Sequence, residues 1–125
     1  MSRFDNIASP GSLAKGERAR RRPKHLEAIR QLPCLVCLRR PVEAAHLRMG
    51  SLEHGKRSAG LGRKPDDRWT VPLCVEHHRS QHGRGERIWW ERHRIDPIPV
   101  AIALFGASPR IEDMTAIVLK MGGIR

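Results

Sequence analysis

The stretch "PLCVEHHRSQH", residues 72–82, sets Cys74, His77, His78 and His82 within nine positions of one another, and "PCLVC" places Cys34 and Cys37 in a CxxC earlier in the chain. Thiolate and imidazole are the donors that zinc prefers, four of them in a tetrahedron, usually supplied as two close pairs that the fold brings together. Cys34 and Cys37 make the first pair. Cys74 and His77 are the natural second, because a ligand three residues on, at the mouth of a helix, faces the same ion. This predicts a structural zinc held by Cys34, Cys37, Cys74 and His77. The other pairing, Cys74 with His78, leaves His77 and His82 as bystanders. The 36 residues between the pairs, 38–73, exceed the usual finger spacing and imply an insertion with its own purpose.

One step along a helix turns the side chain by about 100°, so His77 and His78 point in different directions. His82 lies four residues after His78 on the same helical face, the spacing by which two histidines grip one ion. Together they predict a second divalent metal (Mg, Mn or Zn) on the opposite side of the helix. A site with only two protein ligands keeps open positions, the condition for an ion that takes part in chemistry. Phosphodiester hydrolysis uses such positions for a phosphate oxygen and the leaving 3′-oxygen, and it needs a base to activate water. His46, in "EAAHLR", has a near-neutral pKa and suits that role if its strand packs on the helix.

These residues require elements to hold them. Residues 1–22 are basic, glycine-containing and without apolar periodicity, as in a disordered arm. Residues 23–125 then form one domain. "PKHLEAIRQLP" reads as a short helix entered at Pro23 and closed by Pro33. "CLVC" reads as a metal-binding turn, "PVEAAHLR" and "WTVPLC" as two strands, and "CVEHHRSQHG" as the helix after them, stopped by Gly83. Between the strands, residues 49–68 are rich in Gly, Lys and Arg, as in a long functional loop. "GERIWWERHRI", "PVAIALFG" and "IEDMTAIVLKMGG" predict three further helices over the core. Trp69, Trp89 and Trp90 are expected as core anchors, His25 and His93 as ordinary helix histidines, and His54 as a loop residue.

Composition narrows the partners. With 24 Lys and Arg against 13 Asp and Glu, the chain of 125 residues carries a net charge of +11. That balance favours a polyanion, nucleic acid first, over a membrane surface, since no basic amphipathic helix stands out. No apolar run approaches the ~20 residues of a membrane span, and no secretion signal is evident at the N-terminus, so a cytoplasmic location is expected. Three cysteines, an odd count, fit a metal site better than a disulfide framework. Arg48, Lys56, Arg57, Arg63 and Lys64 flank the expected site and are candidates for DNA-backbone contacts that position without reading bases.

Taken together, "LPCLVC", "VEAAHLR", "GRKPDDRWTVPLCVEHHRSQH" and "WW…IDP" resemble the HNH, or ββα-metal, nuclease superfamily, and within it the phage-associated group that includes the recombination-enhancement (Ref) nucleases. The resemblance covers roughly residues 24–105. It implies a small α+β domain with a zinc-stabilised ββα-metal core and flanking helices, acting as a DNA endonuclease or nickase. By position it makes His46 the general base, His78 and His82 the catalytic-metal ligands, and Cys34, Cys37, Cys74 and His77 the structural zinc set. A recombinase filament is a partner for some members of that group. Two departures stand out. Ala45 occupies the position where many such enzymes place a further acidic or histidine ligand, and the asparagine of the motif is missing, its region reading "DDRWT", where Asp67 or Thr70 could orient the base. The rival from another class is a zinc-stabilised nucleic-acid-binding module that does not cleave. A protein-interaction module built on "VAIALFG" is a third.

Overall fold

The computed structural model describes residues 19–59, 64–83 and 85–123. Over these residues the chain is a small α+β fold with one two-stranded sheet and five helices. Helix α1 spans Pro23–Ile29, strand β1 Glu43–His46, strand β2 Thr70–Leu73, helix α2 Val75–Gln81, helix α3 Glu86–Arg92, helix α4 Pro97–Ala107 and helix α5 Ile111–Met121. Each lies where the residue pattern places it.

Proline and small polar residues set the helix ends. Pro23 opens α1, where a missing N–H costs nothing and the fixed φ suits a first turn. α1 ends at Ile29, short of Pro33, in tighter turns from Gln31 N–H to Ala28 O and from Leu32 N–H to Ile29 O. Asp96 caps α4 by accepting from Ile98 N–H, with Pro97 next to it. Cys74, extended in backbone, is the single residue between β2 and α2, so it joins the strand directly to the helix that bears the histidines.

The two strands pair antiparallel, with Glu43 opposite Leu73, Ala44 opposite Pro72, Ala45 opposite Val71 and His46 opposite Thr70. β2 is buried along its whole length. Pro72 has no N–H for the ladder, yet its carbonyl accepts from Leu35 N–H at 2.9 Å, which stitches the CxxC turn onto the sheet. The core runs through Ile29, Leu32, Leu35, Val71, Leu73, Trp90, Val100, Leu104, Met114 and Val118. α4 packs between β2 and α5, while α2 lies across both strands. Trp69 and Trp90 are buried, as expected of anchors. Trp89 is half-buried, meets Trp90 edge-on and donates from Nε1 to Ser80 Oγ at 2.6 Å.

Two segments make contacts that residue reading did not anticipate. Residues 1–18 lie outside the described residues, but 20–22, assigned to the loose arm, are bound to Asp66 and Asp67 by several hydrogen bonds detailed below. The ordered domain therefore begins before Pro23. The described residues of 49–68 form a loop, as expected, and within it Ser51 and Lys56 exchange two backbone hydrogen bonds of 2.9 Å around a tight turn. Residues 60–63, Arg63 among them, lie outside the described residues.

The C-terminus returns to the CxxC turn. Gly123 N–H donates to Leu35 O at 2.8 Å, and a Cβ on Gly122 would collide with that same carbonyl. Only glycine allows so close an approach. Gly122→Ala is expected to lower stability by about 1–3 kcal/mol. Gly106, on the exposed side of α4, has nothing within 4 Å of an added Cβ. Gly106→Ala should be neutral or stabilising by up to ~1 kcal/mol. Paired urea titrations test both, and equal effects would remove the close-packing explanation.

Candidate metal centre and histidine face

Cys34, Cys37, Cys74 and His77 bring one ligand atom each to within 4.8 Å of one another. Cys37 Sγ and Cys74 Sγ are 3.9 Å apart, Cys34 Sγ and His77 Nδ1 3.7 Å, and Cys74 Sγ and His77 Nδ1 3.2 Å. Zinc–sulfur bonds of ~2.3 Å and zinc–nitrogen bonds of ~2.0–2.1 Å in a tetrahedron place sulfurs about 3.8 Å apart, and sulfur and nitrogen about 3.6 Å apart. The cluster is therefore able to hold a metal ion and is consistent with zinc. It uses His77, not His78, so the pairing of Cys74 with His78 is not the one formed.

The turn that carries the first two sulfurs is fixed locally. Leu38 N–H donates to Cys34 O at 2.8 Å and Cys34 N–H to Arg39 O at 2.9 Å, with Leu38 in the left-handed region at φ 65°. Burial raises the Cys34 thiol above its ordinary pKa. Burial acts the same way on Cys37, but there the Arg39 guanidinium, 3.4 Å from Sγ, with further hydrogen bonds, outweighs it and holds the thiol below the ordinary value. Arg39 in turn pairs with Glu76 at 3.1 Å. His77 packs edge-on against Trp89 and His93, so His93 is a wall of this centre and not an ordinary helix histidine.

His78 turns away from the sulfurs. Its Nε2 lies 3.0 Å from His82 Nε2, and its Nδ1 lies 2.7 Å from Glu43 Oε1. Two imidazole nitrogens at ~2.0–2.1 Å from one ion would stand about 3.0–3.4 Å apart for bond angles between a right angle and a tetrahedral one. A carboxylate on the far nitrogen of a ligating histidine is the usual device for fixing its tautomer and raising its basicity. Burial, followed by the charges of His78 and Arg48, keeps His82 below its ordinary pKa, which favours the neutral imidazole that a metal needs. Ala45, by contrast, is wholly buried in the core and offers nothing to an ion.

His46 ends β1 with its side chain 14 % exposed, and its Nε2 lies 2.8 Å from Oδ1 of Asp67, whose side chain is 1 % exposed. A carboxylate only accepts, so Nε2 carries the proton and Nδ1 is the lone-pair nitrogen. Between the two candidates for orienting His46, the structure selects Asp67. Thr70 Oγ1 instead donates to Asp67 O at 2.9 Å and braces the loop. Burial, aided by Lys64 and Arg21, holds His46 below its ordinary pKa despite Asp67.

A second bracket joins His46 to the helix. Gln81 Nε2 donates to His46 O at 3.4 Å and to Glu86 Oε2 at 3.0 Å. Glu86 Oε1 accepts from the backbone N–H groups of Arg48 and Met49, each at 3.1 Å. Residue reading did not find Glu43, Gln81 or Glu86. They sit 35 to 38 positions from the groups they hold, and no local spacing marks such pairs.

Among the expected backbone contacts, Arg48, Arg57 and Lys64 are surface residues. Lys56 is not: it is 5 % exposed, its Nζ donates to Arg57 O at 3.3 Å and lies 5.5 Å from the centre of the Trp69 ring, and burial pushes its ammonium down to about 8 against the opposing pull of Glu86. An aliphatic stem that covers an indole is a packing role. His54 is a loop residue, held by Ser51 Oγ at 2.9 Å. Among the described residues no helix is long and apolar enough to cross a membrane.

The family described as "Protein of unknown function (DUF968)" matches residues 12–103, which contain every side chain of both histidine sites and all three cysteines. No curated protein and no solved structure matches the chain.

Proposed function

We propose that this chain, which belongs to the family of proteins of unknown function DUF968, is a metal-dependent DNA endonuclease or nickase built on a zinc-stabilised ββα-metal core of the HNH kind. The observation that carries the reading is the placement of His46 at the end of β1, with its Asp67 partner in the loop before β2, beside α2, whose outer face carries His78 and His82 with their Nε2 atoms 3.0 Å apart. Zinc in the Cys34, Cys37, Cys74 and His77 cluster locks α2 to the CxxC turn and so fixes the direction of both histidines.

His78 and His82 would hold the catalytic metal, and Glu43 would orient His78. Such an ion, when bound, supplies positive charge to the scissile phosphate and to the departing 3′-oxygen. Two imidazole donors suit Mn or Zn better than Mg, which prefers oxygen. His46 accepts a proton from water at Nδ1, and Asp67 stabilises the imidazolium that results. Arg48, Arg57 and Lys64 neutralise backbone phosphates, in keeping with the net charge of +11.

The test is supercoiled plasmid incubated with zinc-loaded protein and added Mg²⁺, Mn²⁺ or Zn²⁺. Metal-dependent nicking is expected, and His78→Ala should abolish it while leaving the structural zinc in place. The buried Ala45, which supplies no third protein ligand, favours the second reading, a zinc-stabilised DNA-binding module. Plasmid that is bound in a gel shift but left uncut whichever metal is added would put that reading first.

A further inference from the structure

The end of the basic arm is built into the back of the His46 site. Arg21 Nη1 donates to Asp67 Oδ1 at 2.8 Å, the same oxygen that accepts from His46 Nε2 at 2.8 Å, and Arg21 Nη2 donates to Pro65 O at 2.7 Å. Arg22 N–H takes the other oxygen, Asp67 Oδ2, at 2.7 Å. The neighbouring carboxylate anchors the same segment: Asp66 accepts from Arg22 Nε at 2.8 Å and from Arg20 N–H at 3.1 Å. Asp67 N–H closes the clasp on Arg20 O at 3.0 Å, and the Arg22 guanidinium lies 4.9 Å from the centre of the Phe105 ring. Two consecutive acids and three consecutive arginines, 44 to 47 positions apart, thus make one joint around the buried Asp67 carboxylate.

A carboxylate that faces a histidine alone stabilises the imidazolium, which has no lone pair left for a substrate proton. A carboxylate shared with a guanidinium has that pull divided. We propose that Arg21 is a positioning residue, which shares Asp67 with His46 and thereby keeps the imidazole neutral and its Nδ1 ready to accept a proton. This rests on the reading of His46 as the general base, and it makes the arm's end part of the site that the rest of the chain forms. The groups acting on His46 are Asp67 and Lys64 from the loop before β2 and Arg21 from the segment before α1. Thr70 opposes it on β2, and Gln81 from α2 meets its carbonyl.

The sign follows from charge. Without the guanidinium, Asp67 acts on His46 undivided, so His46 titrates at higher pH. A base protonated at neutral pH is idle, and the acid limb of the rate profile moves up with it. In Arg21→Gln, plasmid nicking near neutral pH is expected to fall about tenfold and to recover as pH is raised. Arg21→Lys, which keeps the charge, should restore most of the neutral-pH rate. The second readout is the proton NMR titration of the His46 ring in the zinc-loaded protein, assigned through a His46 variant: its midpoint should rise in Arg21→Gln and fall in Asp67→Asn. An unshifted midpoint in Arg21→Gln overturns the coupling whether or not plasmid is cut. A loss of nicking that pH does not recover overturns it as well, since that is the mark of a structural joint. Wild-type protein that leaves plasmid uncut whichever metal is added overturns the base role itself, and the titration tells that failure apart from a failure of the coupling.

Discussion

Replacing Cys74 by serine is expected to unfold most of the domain. Cys74 is at once the residue after β2, the residue before α2 and a corner of the Cys34, Cys37, Cys74 and His77 cluster. The CxxC turn it faces also receives β2 through Pro72 O and the C-terminus through Gly123 N–H. Zinc contributes about 10–16 kcal/mol to the folding of small zinc peptides, against a total of about 5–15 kcal/mol for a typical domain. Weakening one of four ligands therefore removes much of the margin. Circular dichroism of Cys74→Ser, and of wild type treated with a strong chelator, should show a large and parallel loss of the cooperative melt. A chelated wild type that melts where the loaded protein does would leave the cluster without a stabilising metal.

His46→Ala is expected to do the reverse, removing activity with little effect on the fold. A general base contributes typically 10²–10⁴-fold, and plasmid nicking in the variant should fall by about that factor. His46 is not in the apolar core, and Asp67 keeps Arg21 and the Arg22 N–H when the imidazole goes. Zinc content and plasmid affinity should therefore stay at the wild-type level. Nicking that survives in His46→Ala would place the base elsewhere. A variant that loses zinc or melts far below wild type would mean that the His46 and Asp67 pair serves the fold.

What could be read from residues alone was local in the chain. The ligand choice came from spacings of three residues, and the divergence of His77 from His78 came from the turn of a helix. Both depend only on backbone geometry. The two strands, α2 and the helices after it were likewise marked by alternation, capping and proline. The partners that complete the sites lie far off in sequence. Glu43 meets His78 across 35 positions and Arg21 meets Asp67 across 46. A triplet of arginines after a basic stretch looks like more of the same arm until two acids are brought against it. Lys56 misled for a related reason: in a loop full of glycine and cations its charge signals solvent, whereas its stem lies over Trp69. Charged side chains follow the fold more than they specify it, and their roles emerge only when tertiary neighbours are known.

The pairing of β1 with β2 also bears on how this chain can vary. The connection between them leaves and returns at one point, where Leu47 N–H meets Trp69 O at 2.9 Å. Because its two ends are already held together, added length there carries only loop-closure entropy, about 0.6 kcal/mol for each doubling. The tip can thus be rebuilt, lengthened or exchanged for another sequence while the zinc corner and the histidine face stay where they are. Relatives should differ most at the turn between Ser51 and Lys56, away from Asp66 and Asp67, and grafts should be tolerated there.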